Sequence, residues 1–191
     1  MKIAPIPVPD TSLQHWYALY TRPRAEKKVF AGLTAKGFQA YLPLVTTLRM
    51  WSDRKKKVQL PLISSYVFVK THTEFIYETL HVQGASGVLK FLGKPAIIRD
   101  QEIENLKILL NDPSQIETLD HIPLEKGQAV LVIAGPFKGL AATALQVQGQ
   151  YRVIVELEAM GRCMCVNIPI SCIAINQVKL QHTPKAALVS A

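Results

Sequence analysis

The chain is poor in acidic residues, in cysteine and in uninterrupted apolar sequence, and each shortage removes a class of function. Its 191 residues hold 14 Asp and Glu against 22 Lys and Arg, a formal net charge of +8. Few carboxylates are therefore available for acid–base chemistry. The five histidines, His15, His72, His81, His121 and His182, are dispersed with no spacing that suggests a shared metal. No GxSxG, HExxH or Walker-type glycine loop occurs, so no catalysis and no cofactor are expected. The three cysteines, Cys163, Cys165 and Cys172, are odd in number, which argues against a secreted disulfide framework. As a metal site they lack a fourth ligand and match no common zinc spacing, so they read as small buried hydrophobes. No apolar run reaches the roughly 18 residues needed to span a bilayer. Three prolines in MKIAPIPVPDTSLQ break any apolar leader helix. A soluble cytoplasmic protein with no membrane partner is expected.

What is present is a globular composition, 49% hydrophobic and 19% charged, with its positive charge held unevenly. Residues 1–112 carry 16 basic and 9 acidic side chains, whereas residues 113–191 carry 6 and 5. Between Arg22 and Lys57, ten basic residues face only Glu26 and Asp53. Because charges more than about 8–10 Å apart are largely screened in cells, this local density matters more than the total. It points to a polyanion. The block Arg54, Lys55, Lys56 and Lys57 can equally be read as a solvated turn between strands.

HWYALYT (15–21) alternates as a half-buried strand should. In RPRAEKKVFAGLTAKG, Pro23 fits the first turn of a helix, Val29, Phe30 and Leu33 form its apolar stripe, and Gly37 ends it. Arg22, Arg24, Lys27 and Lys28 lie on or beside its outward face. Residues 38–51 read as one long strand bent at Pro43, and the cationic block as a hairpin tip before the strand SYVFVK. Thr73 is placed as the cap of a short helix, and Asp100 as the cap of DQEIENLKILLN. These elements predict an α+β sandwich of ferredoxin-like type for residues 13–112. Residues 1–12 are read as a flexible extension, 113–126 as a linker and 177–191 as a tail. In 127–176 the period falls to 2 over five short strands, which predicts a small β-barrel. Its glycine-framed loop, GPFKG (135–139), displays Phe137 and Lys138 as a candidate partner contact.

Four separated motifs, WYALYTRPRAEKKV, LPLISSYVFVKT, SGVLKFLGKPAII and GQAVLVIAGPFKG, together resemble the NusG family of transcription elongation factors. The likeness runs in order from about His15 to Ile175 and covers that family's N-terminal domain, linker and SH3-like KOW barrel. The Trp16-Tyr17 start and the WSDRKKK block look closer to specialised paralogues of the RfaH and UpxY kind than to the general factor. The resemblance implies a monomer that grips the clamp helices of the largest subunit of bacterial RNA polymerase and suppresses pausing or termination. By position, Tyr20, Ile63, Tyr66 and Phe68 would line the gripping concavity. Tyr77, Glu78 and Thr79 would touch the opposite side of the polymerase cleft. Arg22 and Lys28 match positions that meet the non-template DNA strand, with Arg24, Lys27 and the 54–57 block close by; nascent RNA is an alternative nucleic-acid partner. The KOW barrel would recruit a ribosomal protein or Rho. Ile63-Ser64-Ser65-Tyr66 departs from the family's Phe-Pro-Gly-Tyr, and Ala142 stands where a KOW glycine is usual. Two rivals stay open: a general NusG factor that supports Rho-dependent termination, and a KOW-type ribosomal or RNA-binding module.

Overall fold

The computed structural model describes residues 14–50, 55–119, 127–147 and 150–175. The first half is built on an antiparallel sheet of β1 (His15–Thr21), β2 (Gln39–Tyr41), β5 (Tyr66–Thr71), β6 (Ala85–Val88) and β9 (Ile97–Ile98). The order is β2-β5-β1-β6, and β9 pairs with the other end of β1's outer edge. Successive strand residues point to opposite faces, and here both faces are buried. Tyr17, Leu19, Val67 and Val69 pack with Val29 and Leu33 of α1 (Glu26–Ala35). Trp16, Ala18 and Phe68 pack with Ile103, Leu106 and Leu109 of α2 (Asp100–Leu109). The helices therefore take opposite faces of the sheet, one more detail than the expected α+β sandwich specified.

The local chemistry accounts for the element ends. Helix α1 begins at Glu26 and not at Pro23, because Arg24 has a left-handed φ of 64° that no helical turn accommodates. At its other end Gly37 takes φ 84° while the Phe38 N–H donates to the Leu33 carbonyl at 3.1 Å, a Schellman stop. Gly32 allows a close approach, since a Cβ there would stand 2.5 Å from Val82 Cγ1. The expected long strand of residues 38–51 breaks at Pro43. Beyond it β3 (Leu44–Met50) pairs with β4 (Lys55–Pro61) as a separate ribbon, tied at its root by the Leu62 N–H donating to the Pro43 carbonyl at 2.8 Å. Neither expected cap works as one. The Thr73 hydroxyl pairs with that of Tyr17 at 2.7 Å at the start of the 3-10 segment Thr73–His81, and Asp100 accepts from Lys70 Nζ at 2.7 Å.

The second half is all antiparallel. β10 (Glu117–Leu119), β11 (Gln128–Val132), β12 (Ala141–Val147), β13 (Gln150–Leu157), β14 (Arg162–Ile168) and β15 (Ile173–Ile175) run in the order β10-β14-β13-β12-β11-β15. The five strands expected beyond residue 127 are all present. The sixth, β10, lies inside the segment expected to be a linker, where it covers the open edge of β14 and places Glu117 in an ion pair with Arg152. Residues 1–12 and 177–191, and Arg54, expected at a hairpin tip, lie outside the described residues.

The two halves share one core. Val130, Val132, Phe137, Leu140, Val153, Val155 and Met164 join the same apolar cluster as Phe68, Ile98 and Leu106. Polar contacts seal this junction. Asn105 Nδ2 donates to the Ala141 carbonyl at 2.7 Å, Asn111 Nδ2 to the Pro136 carbonyl at 3.1 Å, and Arg99 grips Glu158 with bonds of 2.8 and 3.5 Å.

Candidate functional site

Two of the residues expected in the gripping surface are side by side at one end of the sheet. Tyr20 and Tyr66 are register partners on β1 and β5, and their rings lie 4.8 Å apart at 43°. The turn that delivers Tyr66 is built from Ser64 and Ser65. Ser65 takes φ 65°, its N–H donates to Glu26 Oε1 at 2.8 Å, and its carbonyl accepts from Thr21 N–H at 2.9 Å. Thus Glu26, one of the two acidic residues of the cationic segment, is buried and committed to the backbone. The departure from Phe-Pro-Gly-Tyr is met by a serine in the left-handed region.

Tyr20 is 37% exposed, whereas Ile63 and Phe68 are 1% and 0% exposed. The last two lie in the core shared with the second half, and Tyr41 stacks on Phe68 at 6.3 Å. Tyr66 is half-covered, with the Arg162 guanidinium 5.7 Å from its ring centre. Burial, and after it the hydrogen bond and charge of Tyr20, push the Tyr66 phenol up to about 12, with Arg162 pulling the other way. The phenol is neutral at any physiological pH and offers an interface apolar area with one polar tip.

The second expected segment divides. Tyr77 and Glu78 are exposed, with Lys90 Nζ 5.7 Å from the centre of the Tyr77 ring. Thr79 is fully buried and its hydroxyl donates to the Ile76 carbonyl, so its side chain serves the fold. The expected nucleic-acid residues Arg22, Arg24, Lys27 and Lys28 are all exposed. Lys27 of α1 joins Lys56, Lys57, Thr46, Val58 and Gln59 of the β3–β4 ribbon around one open groove. Lys55 opens β4, and Arg54 lies outside the described residues.

The glycine-framed loop differs from expectation. Gly135 and Gly139 take φ 82° and 92°, but Phe137 is 3% exposed and belongs to the shared core, leaving Lys138 at the surface. The curl of the GPFKG loop turns the aromatic inward, where it fills space beneath α2.

Sequence reasoning missed Arg162 and Glu102. Arg162 carries no signal because its partner, Tyr66, lies in the other half of the chain. Glu102, on the first turn of α2, is 7% exposed, and its Oε2 has no hydrogen-bond partner among the described residues. Burial lifts its carboxyl to about 7, opposed by Arg99 and reinforced by Glu158 and Glu156. The cysteines behave as small hydrophobes: Cys163 and Cys165 are buried, and burial raises both thiols, Cys163 to about 11. Among the described residues, no group of three His, Cys, Asp or Glu is arranged to hold a metal. None of their helices is long and apolar enough to cross a membrane.

An antiparallel sheet between two helices, with a paired-tyrosine edge and a separate cationic ribbon, defines a small α/β domain. Residues 14–107 match the family model described as "Transcription termination factor nusG". The first half of the chain is thus similar to the domain that this family model describes. Among solved structures, the one described as "Domain interaction in Thermotoga maritima NusG" is 21% identical and covers 86% of this chain and 98% of its own, at a TM-score of 0.44. The MjSpt4:Spt5 complex in its conformation A is 20% identical and covers 84% and 97%, at a TM-score of 0.30.

Proposed function

We propose that this protein is a transcription elongation and antitermination factor of the RfaH and UpxY kind, acting in the cytoplasm without catalysis or cofactor. It binds the clamp helices of bacterial RNA polymerase through the Tyr20–Tyr66 edge of its NusG-family domain, and the 77–78 segment faces the far side of the cleft. Its cations at Arg22, Arg24, Lys27, Lys28, Lys56 and Lys57 track the displaced non-template strand. The observation that carries this reading is the pairing of an accessible aromatic edge with an open cationic groove on one domain. The second half, read as a KOW barrel, lies over the same edge through Arg162, and its apolar residues share the core of Ile63 and Phe68. Full use of the apolar face therefore requires the second half to move aside, after which the barrel is free to meet a partner of its own.

The test is a purified elongation assay with the full chain, together with recovery of polymerase subunits on the tagged protein from cells. Shortened pauses and recovered polymerase support the reading. Normal pausing without polymerase, combined with recovery of ribosomal RNA, would replace it with an RNA-binding module.

A further inference from the structure

The strands β7 (Lys90–Phe91) and β8 (Lys94–Pro95) form a miniature hairpin whose tip contributes nothing to the core. Its root is held firmly. Leu89 and Ala96 are buried, the Ala96 N–H donates to the Leu89 carbonyl at 2.9 Å, and the Leu89 N–H donates to the Ala18 carbonyl at 2.9 Å. Phe91 pairs with Lys94, so the turn consists of Leu92 and Gly93 alone. Both have positive φ, 49° and 79°. Such two-residue turns favour Asn, Asp or Gly at their first position, because a Cβ is strained there. This chain places a leucine instead, and leaves it 87% exposed beside a phenylalanine 68% exposed.

A strained, solvated leucine weakens the folded state, and neither apolar cluster gains from it. Isolated exposed apolar residues are ordinary. Two adjacent ones on a tip with a firmly held root, one of them strained, indicate a surface whose burial comes from elsewhere. The frame of the tip is cationic: Lys90 and Lys94 flank it, and Lys90 reaches over Tyr77. An aliphatic side chain at the summit suits an apolar pocket better than a stacked base, and the lysines call for a rim of opposite charge.

We propose that the Phe91–Leu92 tip is a plug that enters an apolar, acid-rimmed pocket on the protein partner met by Tyr77. This rests on the polymerase reading above. Leu92→Asn is the informative variant, since Asn suits the left-handed turn and should keep or raise the thermal midpoint. RNA polymerase is titrated with the full chain, Leu92→Asn and Lys90→Glu/Lys94→Glu, each in the parent and in an Arg162→Ala background that uncovers Tyr66. Both tip variants should bind roughly tenfold or more weakly, the range expected of a central contact. Equal affinity of Leu92→Asn and its parent, with parent binding intact, overturns the plug and leaves the polymerase reading standing. Failure of every chain, the uncovered parent included, to bind polymerase removes both. Loss of affinity for a single-stranded DNA oligonucleotide with polymerase binding unchanged reassigns the tip to nucleic acid and also overturns the proposal.

Discussion

The guanidinium of Arg162 lies 5.7 Å from the centre of the Tyr66 ring, and it reaches there from the opposite half of the chain. On the proposal that the second half moves aside to admit polymerase, removing this contact should favour the moved-aside arrangement. A partly exposed cation–π pair is worth about 0.5–1 kcal/mol. Arg162→Ala is therefore expected to raise polymerase affinity roughly two- to fivefold, measured by titration of the full chain. A fall in affinity would place Arg162 on the polymerase-facing surface instead.

The proposed interface and the core respond differently to truncation. Phe68→Ala should cost about 3–5 kcal/mol of folding stability, because a fully buried ring leaves a cavity. Tyr20→Ala should change stability little and cost about 2 kcal/mol of polymerase affinity, close to thirtyfold. Denaturant titration beside binding measurements separates the two. A stability loss at Tyr20 equal to that at Phe68 would count Tyr20 as core.

Glu102 supplies a pH dependence with a definite sign. Its folded carboxyl is raised to about 7 by burial, against Arg99 and with Glu158 and Glu156, so between its unfolded value near 4.5 and about 7 the folded state holds the extra proton. Stability is then fullest at acid pH and declines as pH climbs through 7. The decline is a few kcal/mol at most, since a tenfold change in proton affinity corresponds to about 1.4 kcal/mol. Glu102→Gln should flatten that part of the profile and raise the thermal midpoint at pH 8, read by calorimetry. A variant profile parallel to the parent's would assign the slope to other groups.

Lys27, Lys56 and Lys57 surround one groove, so they should act as a set on a phosphate backbone. Each phosphate neutralised on a single strand adds about −0.7 to the slope of log affinity against log salt. Changing all three lysines to Gln should flatten the slope by about two units while leaving DNA-independent polymerase binding in place. An unchanged slope returns the ribbon to a solvated hairpin.

Local order was legible in the sequence; long-range packing was not. The alternation in HWYALYT and SYVFVK located β1 and β5, and the glycine after LTAK located the end of α1, because strand period and left-handed stops are written in neighbouring residues. The break at Pro43 was visible only as a bend, since whether a strand continues or leaves its sheet depends on partners far along the chain. The same limit concealed β10, which exists because β14 has an open edge, and the inward turn of Phe137, which depends on α2 lying above it. In the candidate site, exposure of Lys27 and Lys28 followed from helix periodicity, whereas Arg22 and Arg24 are exposed in the turn before α1. The burial of Ile63, Phe68 and Thr79 did not, because an apolar or hydroxyl residue looks the same at an interface and in a core.

The common core of the two halves has a consequence for how such a chain can change over generations. Domains joined by a bare tether can be exchanged between relatives as independent parts. Here Phe137, Leu140 and Val153 interlock with Phe68, Ile98 and Leu106. A replacement second half must therefore present a fitting underside to α2, and the carbonyls of Pro136 and Ala141 must meet Asn111 and Asn105. The halves are under pressure to vary in concert, and a chimera joined at the 113–126 segment would inherit a mismatched seam.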